Sequence, residues 1–272
     1  MTRAWHREGS RPSPCDQLHT PERGVRANLL GSRLIAQRDK YFAMLPTLNR
    51  IHTLAAVRVA GVGLVGIGTT AQVGWMAEFF LDTGLSPLHA APNDLSARGQ
   101  PYGELFRTLE LTAGIAFLLA CPPLARLAPV QWRARTTIVA VGVFGALLIL
   151  RAAFPLDCAS SIESMCRQSA HSVSHNLNFV ISVLLSVVYV LGPVTLLLWW
   201  EGRWRIVPSI IVAVESAAWV ALVALSVAAS GQFVGLVMRM QLLGGAAVLV
   251  CGGTYLLTTG RHVRTRWEDS RG

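Results

Sequence analysis

The chain has 272 residues, 52% hydrophobic and only 14% charged, with 24 Lys+Arg against 15 Asp+Glu for a net charge of +9 and a mean hydropathy of +0.46. A soluble domain of this length carries about a quarter charged residues, so a soluble fold is excluded. The positive charge gathers in short segments between apolar runs, as membrane orientation requires; no nucleic-acid partner is expected.

Residues 1–50 are rich in Arg, Pro and Ser and show no apolar periodicity. They read as a disordered, basic cytoplasmic tail. Cys15, His6 and His19 fall there without metal-ligand spacing, and Met44 is an alternative start. No cleavable signal peptide is evident, because the first apolar run is distant from the N-terminus and long enough to span.

Six apolar runs follow over residues 51–260, each near the length of about 20 residues that carries a helix across the hydrocarbon core. The first, Leu54 to Met76, contains Gly61, Gly63, Gly66 and Gly68, small residues that let helices approach closely. Arg58 lies within about a turn of its end and can snorkel to the headgroups; Trp75, Phe79 and Phe80 make an interfacial girdle at the other end. The second run, Leu105 to Leu124, carries Arg107 and Glu110 on one helix face. The third, Thr136 to Ala153, is stopped by Phe154-Pro155. The fourth, Leu177 to Leu198, closes with Trp199 and Trp200. The fifth, Val207 to Ala228, holds Glu215 near mid-depth, and the sixth, Phe233 to Leu257, holds Arg239 near its start. Residues 261–272 form a second basic tail.

Basic residues set the orientation. The N-terminal tail, the Arg126–Arg135 connector, the Arg203–Arg205 connector and the C-terminal tail hold most of them, whereas the opposite loops hold Arg98 and Arg167 alone. Short basic loops stay inside. The expectation is an all-α, six-helix transmembrane bundle of the cell membrane with both termini cytoplasmic.

The opposite, outer face then carries the chemistry. Cys158 and Cys166, in an oxidising compartment and separated by a loop able to close without strain, are expected to form a disulfide. Arg107, Arg151 and Arg239 fall at similar depth, with Glu110, Asp157, His171 and His175. Ionisable groups in spans face the bundle interior and mark functional sites by default. The plainest arrangement is a packing network in which Glu110 neutralises Arg107 or Arg239 and Asp157 neutralises Arg151. A sharper one uses His171 and His175, four apart on one helix face, with Asp157 as a third ligand for zinc. Glu110 and Asp157 are then the candidate catalytic groups, and the arginines a clamp for an anionic ligand.

The loop NDLSARGQPYGELFR, the RAAFPLDC exit of the third span with histidines after it, and GLVMRM opening the sixth resemble a bacterial and archaeal membrane family, domain of unknown function 998, over about residues 54–258. The resemblance implies several spans, an FP-x-D exit matched by Phe154, Pro155 and Asp157, a following histidine matched by His171 or His175, and an arginine in the last span matched by Arg239. The Cys158–Cys166 pair looks like a subgroup feature. The family brings no established activity.

Three functions fit these features. The first is a non-enzymatic binding or envelope-associated module that takes a lipid or small-molecule ligand at the outer face. The alternatives are a metal-dependent hydrolase of a lipid or amide at that face and a small-molecule transporter, the latter without the inverted repeats or broken spans that fold class shows.

Overall fold

In the computed structural model the described residues are 54–128, 131–159, 172–228 and 233–269, with side chains described to Leu225 in the fifth helix and to Thr258 in the sixth. The expected tail 1–50, the turn around Gly231, Cys166, Arg167 and His171 lie outside them. Among the described residues the secondary structure is helical throughout, and six helices are long and apolar enough to cross a membrane.

These are α1 (Leu54–Phe79), α2 (Gly103–Leu127), α3 (Trp132–Ala153), α4 (Val173–Leu197), α5 (Ile206–Ala228) and α6 (Val234–Asp269). Several run past the apolar stretches that announced them. The last seven residues of α1, Val73–Phe79, tighten into 3-10 geometry. α4 starts four residues before Leu177 because Ser172 caps it, its hydroxyl accepting from the His175 backbone N–H. α6 continues through Asp269, well beyond the expected end at Leu257.

Consecutive helices are neighbours from α2 to α6. α1 completes the bundle by packing on α2, where a Cβ on Gly68 would meet the Phe117 ring at 2.7 Å, and on α6, where Gly253 faces Val62. The tightest crossing is α2 on α3. A Cβ on Gly114 would fall 2.7 Å from the Gly145 carbonyl oxygen, and one on Gly145 would fall 2.8 Å from that of Gly114. With lipid as apolar as the helix surface, such backbone approach supplies the dispersion contact that holds helices together. At mid-bundle Phe117, Phe144 and Tyr189 form an aromatic layer with ring centroids 5.4 and 5.3 Å apart.

The loop between α1 and α2 is packed rather than loose. Its short 3-10 turn Pro92–Ser96 buries Asp94, Leu95 and Ser96, and Ala90 and Ala97 are buried beside it. It caps the end of the bundle opposite Arg126, Arg133 and Arg203, called here the clasp end; the other is the basic end.

Candidate functional site

Three clasps hold the clasp end, and each takes residues that the sequence singled out. Arg239 is buried on α6, with its side chain 5% exposed, against Glu78, 1% exposed, at the end of α1. Its Nε and Nη2 donate to the two Glu78 oxygens at 2.6 and 2.5 Å. Nη1 donates to the carbonyls of Pro87, Ala90 and Gly235 at 2.5, 2.8 and 3.0 Å. The guanidinium also lies 5.7 Å from the Trp75 ring centroid. One side chain thereby ties α1, the α1–α2 loop and α6 together.

In the second clasp, Arg151 on α3 grips Glu110 on α2 with two bonds of 3.2 and 2.8 Å, both side chains being largely buried. The third joins the exit of α3 to the start of α4. Pro155 ends α3 and leaves its last carbonyls without helical donors. Asn178, wholly buried, donates to the carbonyls of Arg151 and Phe154 at 3.4 and 2.7 Å, and Ser174 donates to that of Pro155. Asp157 accepts from the Ser172 backbone N–H at 2.9 Å, from the Ser172 hydroxyl at 2.8 Å and from Arg98 at 3.4 Å. The Ser172 hydroxyl and then its backbone N–H, with smaller help from Arg98 and His175, hold the Asp157 carboxyl below the usual carboxylate range.

The expected pairings are therefore corrected. Glu110 neutralises Arg151, not Arg107 or Arg239. Asp157 meets Arg98, not Arg151. Arg107 bonds Glu104, three residues earlier on its own helix, at 3.2 Å. The sequence does bring Asp157 to the start of the histidine helix, as adjacent antiparallel spans require. It missed Glu78 altogether, because the expected first run stopped at Met76 and left this carboxylate two residues beyond it, among the aromatic residues of the girdle.

The expected zinc ligands are only partly in view, since His171 lies outside the described residues. Among the described residues no three His, Cys, Asp or Glu side chains gather as metal ligands. Asp157 has both oxygens in hydrogen bonds to the start of α4, and Glu110 has both on Arg151. As arranged, both carboxylates are engaged in clasps between helix ends. Cys158 lies in the exit of α3, and its expected partner Cys166 is beyond the described residues.

Glu215, for which the sequence offered no partner, is wholly buried on α5 against α6. Gln241 is its polar neighbour. Gly244 makes the room, since a Cβ there would fall 2.6 Å from Oε1.

A cavity of about 430 Å³ lies in the other half of the bundle, toward the basic end, and no sequence feature announced it. It is lined by α1, α2, α3, α4 and α6, mostly with Val, Leu, Ala and Gly, while α5 packs outside on α4 and α6. Tyr189 forms its inner limit, with Gln72 Nε2 donating to the Tyr189 hydroxyl at 2.6 Å. Toward the basic end it is bounded by Trp199, Trp200 and Tyr255, the last two stacked at 4.8 Å. Among the described residues of the lining, Arg58 is the charged one.

The arrangement can thus do two things chemically: lock the helix ends at one face and enclose an apolar guest near the other. No curated protein and no solved structure matches the chain. A family model does match, over residues 64–255, which is most of the membrane part just described. The chain belongs to that family, described as "Protein of unknown function (DUF998)".

Proposed function

We propose that the protein is a non-enzymatic binding module of the cell membrane, with both termini in the cytoplasm, whose ligand occupies the cavity near the basic end. The supporting observation is the cavity itself. Its volume of about 430 Å³ falls in the range of roughly 300–1,000 Å³ occupied by small-molecule sites, which are mostly apolar with a few placed polar groups. The outer polar cluster then serves as the frame that keeps the bundle closed at the far face. Its arginines already have acceptors within the protein, which favours holding over chemistry. The basic connectors support a cytoplasmic position for the cavity end.

Native mass spectrometry of protein gently purified in neutral detergent tests this. The wild type is expected to retain a hydrophobic guest at near one per chain. Gly192→Leu with Gly252→Leu is expected to lose it: both positions line the cavity, and an added Cβ meets nothing within 4 Å at either. A wild type that carries no guest and takes up none, or a filled variant that retains as much, refutes the reading. Transition-metal analysis of the same sample addresses the alternative, a zinc-dependent hydrolase on His171, His175 and Asp157. Near-stoichiometric zinc that disappears in His175→Ala would favour it.

A further inference from the structure

The cavity carries one feature that an apolar guest alone does not account for. Arg107, Arg151 and Arg239, the other described arginines of the helices that are at least partly buried, each meet a carboxylate, whereas Arg126, Arg133 and Arg135 are exposed. Arg58 is half-buried on α1 and lines the cavity. Among the described residues it has no ion pair or hydrogen bond. A guanidinium drawn partly out of water is stabilised by an anion that takes its donors, and carboxylate and phosphate oxygens match its fork geometry. Two other polar groups nearby are occupied: Trp199 Nε1 donates to the Thr137 hydroxyl at 3.1 Å, and the Tyr189 hydroxyl is held by Gln72. The buried Trp200 Nε1 has no acceptor among the described residues and is a neutral donor at the same end as Arg58. The Tyr189 and Phe144 rings close the apolar space on the far side. A guest therefore has one charged contact, at Arg58, and one apolar volume of bounded size.

We infer that the ligand is a single-chain anionic amphiphile, its hydrocarbon tail in the cavity and its carboxylate or phosphate head on Arg58. The inference rests on the binding reading above and adds the charge, the head position and the number of chains. The competing account is that Arg58 snorkels to bulk headgroups and the cavity takes any apolar chain.

The test is a titration of purified, delipidated protein in neutral detergent with three probes that share one tail: palmitate, hexadecyl phosphate and hexadecanol. At least one anionic probe is expected to bind about tenfold or more tighter than the alcohol, the gap narrowing with salt. Palmitate alone would assign a fatty-acid carboxylate, the phosphate alone a lipid phosphate, and both the shared anionic head. Arg58→Gln is expected to close the gap while leaving hexadecanol affinity within about twofold, which also reports that the cavity is intact. Arg58→Lys is expected to keep part of the gap. Equal binding of all three probes by the wild type overturns the anionic head and leaves the binding reading standing. A gap that persists in Arg58→Gln overturns the role of Arg58. Failure of every probe to bind overturns the binding reading itself.

Discussion

Replacing Glu78 by Gln isolates what the most buried clasp contributes. The substitution keeps the shape of the side chain but removes its charge and turns an amide N–H₂ toward a guanidinium that donates through every nitrogen. Arg239 and Glu78 are only 5% and 1% exposed, so water cannot replace the lost carboxylate. Breaking a buried pair from one side costs about 3–5 kcal/mol. The carbonyls of Pro87, Ala90 and Gly235 still hold Nη1, which places the expected loss near the lower figure, about 3 kcal/mol. At about 2–4 °C per kcal/mol for a chain of this size, the melting temperature should fall by about 6–12 °C. The assay is thermal loss of the monodisperse gel-filtration peak in neutral detergent. Arg98→Ala is the internal control. Its pair with Asp157 is 57% and 27% exposed, and exposed pairs contribute about 0–1 kcal/mol, so its shift should stay within about 4 °C. If Glu78→Gln shifts no further than Arg98→Ala, the clasp is solvated and the account of the clasp end is wrong.

Three more outcomes are expected. Gly114→Val should force α2 from α3, because its Cβ would sit 2.7 Å from the Gly145 oxygen and from Ile149 Cγ1; an overpacked crossing costs about 1–3 kcal/mol, whereas Gly66→Val, with open space at its Cβ, should insert and melt like the wild type. The lowered carboxyl of Asp157 should stabilise the fold fully above its unfolded pKa of about 3.9, the contribution being lost as pH falls through the lower folded value. The melting difference between wild type and Asp157→Asn should thus shrink below about pH 4; a difference that stays undiminished as the pH is taken well below about 4 would contradict the assignment. Reporter fusions after Gly99 should report outside and those after Arg135 inside. In intact cells without reductant, Cys158 and Cys166 should resist an impermeant thiol reagent, and ready labelling of both would rule out their disulfide.

The sequence alone determined the class of protein, the six spans and the stop at Pro155, because each depends on local properties: a run of apolar residues, or a missing N–H. It also marked Arg107, Glu110, Arg151 and Arg239 as bound to face inward, since an ionisable group in lipid has nowhere else to go. Which charge meets which could not be read there. Pairing depends on the rotation of each helix about its axis and on its height against its neighbour. Small shifts in either exchange Glu110 between Arg107 and Arg151, and the α1–α2 loop delivers the Pro87 and Ala90 carbonyls to Arg239. The cavity is further still from local sequence. It exists where five helices turn small or thin residues toward one another near Gly192 and Gly252, with aromatic rings at its two ends. Tertiary structure decided that empty space, because a void is a property of the packed bundle and belongs to no one segment.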